Sequence, residues 1–273
     1  MPSLERAEQV CRDGQANFPD DKELLFRQAM LYHRQGRLKD AVSAYQQVLS
    51  DSGRRHFTSI DVGLAGFKTH YNLALVFEDL GEFHKAECEW RAAVDQAPLF
   101  AQAWRCLGEL FIRQDRFAEV DALLSQFDQQ PDLKAERLLL AAKLAERIGH
   151  YDEAERLLME ADSANPADLT AHRRRCQLLF EHGDCGSARN ELRRLTIRVP
   201  EDASAWQNFG AICWRLGDLS TAESALRESL RLRPNSADAE SLLREVLWES
   251  QNDSSSFGLQ RSPEVSNRIP EFH

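Results

Sequence analysis

ASAWQNFGAICWRLGDLSTAESALRESLRLRPNS, residues 203–236, reads as two short amphipathic helices joined by a glycine turn and closed by a proline. Trp206, Phe209, Gly210 and Leu226 are spaced for two helical faces that meet. Gly210 on the first helix is expected to face Ala222 on the second, because antiparallel helices approach closely only where their side chains are small. Gly217 supplies the left-handed turn residue. Pro234 ends the second helix, since it has no N–H to donate and its ring clashes with the preceding turn. Stepping back by 34 residues recovers the same positions. Ala74, Gly108, Ala142, Cys176 and Gly210 form one ladder, and Ala86, Val120, Ala154, Ala188 and Ala222 a second. Gly81, Asp115, Gly149, Gly183 and Gly217 form a third, and Pro98, Asp132, Pro166, Pro200 and Pro234 a fourth.

A period of this length with these residue types resembles the tetratricopeptide repeat, a helix–turn–helix unit that buries its apolar faces only by stacking on its neighbours. The expected fold is therefore all-α, a right-handed superhelix of stacked helix pairs (an α-solenoid). Residues 1–19 read as a partial repeat holding only its second helix. Residues 20–66 read as one repeat plus an inserted loop, because the step from Ala41 to Ala86 exceeds the period. Residues 67–236 hold five tandem repeats. Residues 237–250 read as a capping helix, since Arg244 occupies the small-residue position and blocks a close second helix. Residues 251–273, rich in Ser, Asn and Pro, read as a disordered tail. The repeat from 101 is the most degenerate, with Asp115 for glycine, Val120 for alanine and Asp132 for proline.

Composition bounds the function. The formal net charge is −10, which disfavours nucleic-acid binding through the phosphate backbone. No stretch approaches the roughly 20 apolar residues of a membrane span, so membrane insertion is not expected. The N-terminus is charged and has no signal-peptide pattern, which points to the cytoplasm. Six cysteines without a C-x-x-C pair read as free thiols. No metal site or cofactor is expected, and no catalytic residues: glycine-rich phosphate loops, H-E-x-x-H and G-x-S-x-G are all missing from the sequence. The segment EHGDC, 181–185, gathers a carboxylate, a histidine and a thiol, but Gly183 is the turn glycine and Cys185 a packing position.

What remains is a binding surface. In an array of this kind the first helices line a concave groove. The offsets that face it select Tyr71, Leu75, Arg105, Glu109, Arg113, Arg173, Gln177 and Trp214. Aromatic and arginine side chains are enriched where proteins meet. A protein or peptide partner in that groove is the expected ligand. Only Asn72 fits a carboxylate clamp of the co-chaperone type, and Asn72 with Asn208 makes no asparagine ladder.

One stretch is more specific. Phe57, Ser59 and Asp61, then Gly66-Phe67-Lys68, then Tyr71, Asn72, Leu73 and Ala74, and finally Glu89, Trp90 and Arg91 resemble the repeat region of bacterial glycosyltransferases that join a family 2 catalytic domain to tetratricopeptide repeats. The likeness spans 18–113. It implies kinship with the repeat half of such an enzyme, whose sugar-nucleotide site lies in a catalytic domain that this chain does not contain. Three readings stay open: a non-catalytic scaffold, an acceptor-binding fragment of such a transferase, and a chaperone adaptor.

Overall fold

The computed structural model describes residues 2–19, 21–50, 63–127 and 130–253, and every regular element among them is helical. The chain divides into two compact units, Met1–Arg147 and Ile148–His273.

The first unit opens with α1 (Pro2–Asn17), which packs on α2 (Lys22–Arg34). α2 pairs with α3 (Leu38–Leu49), and α4 (Phe67–Asp79) with α5 (Phe83–Gln96). Asp21 starts α2 as an N-cap, its carboxylate accepting from the Glu23 and Leu24 amides at 2.9 and 3.1 Å. One helix is thus followed by two helix pairs. Ala29, Ala41, Ala74 and Ala86, the small residues of the ladders, are fully buried. Tyr45 and Trp90 fill the same place on successive second helices and are also fully buried. Of the inserted loop, residues 51–62 lie outside the described residues, Phe57, Ile60 and Val62 among them. Leu64 is buried, and the Thr69 hydroxyl donates to its carbonyl. Phe67 packs edge-on against Phe100 at 4.9 Å.

The degenerate repeat departs from its siblings. α6 (Ala101–Arg113) is regular, and α7 is described over Phe117–Phe127. A 3₁₀ turn over Pro131–Leu133 then leads into α8 (Lys134–Arg147). α8 packs on α6 as well as α7. A Cβ placed on Gly108 would lie 2.4 Å from Leu140 of α8. The side chain that fills the close-approach position therefore comes from the following first helix. Val120, in the place alanine holds in the other repeats, is itself fully buried.

The second unit holds α9 (Tyr151–Ala164), α10 (Thr170–Glu181), α11 (Cys185–Arg198), α12 (Ala203–Arg215), α13 (Leu219–Leu232) and α14 (Ala237–Asp253), each packed on the next. Its core gathers Phe180, Leu192, Phe209, Ile212, Trp214 and Leu226. Asp184, Asp202 and Asp218 cap three of these helices through their side chains. α14 runs to Asp253, so 251–253 are helical where a disordered tail was expected. The rest of that tail, 254–273, lies outside the described residues.

Gly210 meets its expected partner. A Cβ there would lie 2.7 Å from Leu226 Cγ and 3.2 Å from the Ala222 carbonyl oxygen. Alanine gains about 1 kcal/mol of helix propensity over glycine, but overpacking costs about 1–3 kcal/mol. Gly210→Ala is therefore expected to lower the unfolding free energy. Gly186→Ala in α11 meets nothing nearer than 3.6 Å, and should raise it by about 0.5–1 kcal/mol. Denaturant melts of the two variants check this pair, and equal shifts would place no close contact at 210.

The turns supply a second comparison. Gly217 sits at φ 82°, with Asp218 N–H bonded back to the Cys213 carbonyl at 2.9 Å. Arg116 N–H makes the same bond to the Phe111 carbonyl, at 2.9 Å, but Asp115 must take φ 56° to allow it. Left-handed backbone carries a steric penalty for a residue with a Cβ. The Asp115 carboxylate pairs with Arg147 at 2.8 Å, both largely exposed, and such pairs contribute little. Asp115→Gly should thus stabilise the first unit by about 0.5–1 kcal/mol. A lowered melting midpoint in that variant would show the ion pair to outweigh the strain.

Candidate functional site: the first-helix face

Counting each repeat from the start of its first helix (22, 67, 101, 203 and 237, and Leu169, the N-cap of α10), position 12 recurrently meets position 13 of the next first helix. His33 Nε2 contacts Asp79 at 2.6 Å. Arg113 pairs with Glu78. The Arg215 guanidinium lies 4.8 Å from the centre of the Phe180 ring. Trp214 Nε1 donates to Glu249 at 2.9 Å. These four latches join successive repeats within each unit. In the degenerate repeat Arg147 turns to Asp115 instead.

The latches decide what the predicted face has to offer. In the first unit, Arg113 is committed to Glu78, and Glu109 pairs with Lys143 at 2.7 Å. In the second, Arg173 holds Asp202, the N-cap of α12, at 2.6 Å. Gln177 donates to Glu181 at 2.8 Å. Trp214, expected to be open to a ligand, is only 6% exposed. Its ring is covered because α14 follows and takes its N–H, so the expected exposure of this residue is corrected. Four of these side chains join one helix of the array to another, and Gln177 bonds within α10.

Tyr71, Leu75 and Arg105 remain. Tyr71 and Leu75 lie one turn apart on α4 and are half-buried. The Tyr71 ring packs edge-on against Phe100 at 5.1 Å, and Cys106 Sγ lies 3.9 Å from its hydroxyl. Burial pushes the Tyr71 hydroxyl up to about 12, with the Arg105 charge opposing that shift. The Cys106 thiol is likewise raised, chiefly by burial. Tyr71 therefore stays a neutral donor, and Cys106 is no thiolate nucleophile at neutral pH. Arg105 is exposed and donates to no side chain or carbonyl of the described residues. The patch is an aromatic–aliphatic shelf beside an unspent guanidinium.

The groups that looked reactive in the sequence have structural duties. His182 stacks on Tyr151 at 3.6 Å, Gly183 turns at φ 80°, and Asp184 accepts from the Ser187 amide at 3.0 Å. His172 is buried between Glu191 and Arg198: Nε2 faces the Glu191 carbonyl at 3.1 Å and Nδ1 faces Arg198 at 3.2 Å. Glu191 also takes Arg175 and Arg194, at 3.1 and 2.6 Å. His70 meets Glu89 at 2.6 Å at the same repeat position three repeats earlier. These couples tie first helix to second. Among the described residues no three His, Cys, Asp or Glu side chains gather as a metal site. Cys11, Cys176 and Cys213 are buried free thiols, whereas Cys88 is exposed.

Neither the latches nor the 19-residue His–Glu couple was read from the sequence. Their only signal is chemical complementarity at fixed spacing, and each latch uses a different pair of residue types. Their energies differ accordingly. Trp214→Ala should cost about 3–5 kcal/mol, because it empties a buried site. A double-mutant cycle on Glu78 and Arg113, with the arginine half-exposed, should return a coupling under about 1 kcal/mol. Chemical denaturation of the variants measures both, and a coupling near that of the tryptophan would mean that the ion pair is effectively desolvated.

Comparison with known proteins follows the same lines. No curated protein matches the chain. The resemblance to glycosyltransferase repeat regions gains no support, and three of its marks, Phe57, Ser59 and Asp61, lie outside the described residues. Among solved structures, a tetratricopeptide repeat protein from Parabacteroides merdae is similar with a TM-score of 0.58 and 21% identity, over 89% of this chain and 92% of that one. Yeast Tom70 is similar with a TM-score of 0.61 and 14% identity, over 93% of this chain and 61% of Tom70. At these identities the likeness concerns the fold. Among the described residues no helix is long and apolar enough to cross a membrane. One family profile described as tetratricopeptide repeat matches residues 3–54, 71–119 and 174–237, more than half of the chain, and a second matches 135–168. With the helix pairs, glycine turns and small-residue contacts of both units in the same register, the chain belongs to the tetratricopeptide repeat family.

Proposed function

We propose that the chain is a non-catalytic scaffold that binds a protein or peptide partner on the first-helix face, with Tyr71, Leu75 and Arg105 at the centre of the contact. The observation that carries this reading is the contrast between Arg105 and its neighbours. Arg113, Lys143 and Arg147 of the same unit are neutralised by carboxylates. Arg105 has no such partner among the described residues, and its charge acts on the half-buried Tyr71, one turn from Leu75 on α4. A cation left unpaired next to apolar surface suits a partner that brings an acidic group or a carbonyl together with an apolar side chain. Glu109 and Arg173 join successive first helices through Lys143 and Asp202, whereas Gln177 is bonded within its own helix.

The test is a double substitution, Tyr71→Ala with Arg105→Glu, compared with Lys85→Ala on an exposed part of α5. Circular dichroism should be unchanged in both. Partners captured by the wild-type chain should be lost from the double variant and kept by the control. Equal capture by all three would place the binding surface elsewhere.

A further inference from the structure

The side of α5 opposite its buried residues carries two metal-ligand side chains within reach of one ion. Ala86, Trp90 and Ala93 of this helix are fully buried. His84 and Cys88 lie on the other side, one turn apart, and both are exposed. Cys88 is the exposed one of the six free cysteines. Its Sγ stands 3.9 Å from His84 Nδ1, and among the described residues neither side chain has another partner. A tetrahedral zinc ion, about 2.3 Å from sulfur and about 2.0 Å from nitrogen, would set these two atoms about 3.5 Å apart. A small side-chain rotation closes that gap. The charged neighbours are already paired, Lys85 with Glu82, and Glu87 with Arg91 and Arg116. Neither ligand is drawn into those pairs.

We propose that His84 and Cys88 form half of a tetrahedral zinc site, and that the same pair of a second copy of this chain completes it. A thiolate and an imidazole suit zinc, whereas magnesium and calcium take oxygen ligands. Two protein ligands leave half of a tetrahedral set open, and structural zinc sites are closed by four. The described residues bring no third histidine, cysteine or carboxylate to the pair. Both ligands point away from the buried side of α5, so the α5 of a second copy can reach them. A two-fold axis through the ion then supplies two thiolates and two imidazoles. The two thiolates balance the charge of the ion, and each zinc bound releases two thiol protons. Phe83, exposed beside His84, adds apolar area to the same contact. The site lies on a second helix and does not depend on the Tyr71 patch.

The test uses the untagged full chain, with zinc as the probe and a phosphine reductant to exclude disulfide dimers. Light scattering on a sizing column should show a monomer without metal, a dimer with zinc and a monomer again after a chelator is added. Saturation should come at one zinc per two chains. Cobalt(II) in place of zinc should give the absorption bands of a thiolate-bound tetrahedral ion. Cys88→Ser and His84→Ala should each abolish the dimer and weaken zinc binding at least about tenfold, the loss that even outer partners of zinc ligands carry. Circular dichroism should be unchanged in both, since these side chains are exposed. Cys106→Ser and Cys185→Ser, at the two partly buried cysteines, should leave binding and dimer intact. A wild-type mass that does not change with zinc, saturation at one zinc per chain, or a dimer that survives Cys88→Ser or His84→Ala overturns the proposal.

Discussion

Everything in this chain rests on how closely two helices of one pair can approach. Where Gly210 faces the Ala222 carbonyl and Leu226, the backbones are near enough for large side chains to lie on either flank and not between them. Neither helix of a pair has enough apolar surface to be stable alone, and a pair still exposes one face that only a neighbour can cover. The alternation of tight contacts within pairs and broader contacts between them builds the two cores. The repeat with valine at 120 shows the consequence of relaxing that constraint. A leucine from the following first helix lies against Gly108.

The same constraint explains what could be read in advance. A position that tolerates only a small residue, or only a left-handed backbone, leaves a mark in the sequence at every recurrence. Gly81, Gly183 and Gly217 take the left-handed turn conformation, and Ala74, Ala86, Ala188 and Ala222 are fully buried, so each constraint is visible in the residue type that meets it. Where the constraint was met by an unusual residue the sequence was less informative. Asp115 adopts the glycine conformation without being glycine, and nothing in the residue types announced the 3₁₀ turn at Pro131.

The candidate site was legible in outline and misleading in detail. The offsets correctly picked out residues on first helices, but exposure at those offsets depends on what the next helix brings. Trp214 and Arg113 look like ligand-binding side chains by type, yet both are spent on Glu249 and Glu78. A histidine–aspartate, a glutamate–arginine, a phenylalanine–arginine and a tryptophan–glutamate contact share a location and no residue pattern. No periodicity in one chemical property reveals them, whereas Tyr71 and Arg105 stand out only after the others have been accounted for.

The variety of these junctions bears on how the gene can change. Were all junctions alike, any repeat could be deleted, duplicated or exchanged and the ends would still fit. Here a deletion that brought Glu78 of α4 against Glu249 of α14 would juxtapose two carboxylates, and an exchange that set the Phe180 repeat before the Asp79 repeat would leave an aromatic face against an acid. Each junction accepts its own successor and tolerates others poorly. The order of repeats is thereby written into the protein as chemistry, and recombination within the array is penalised even though the fold itself is modular.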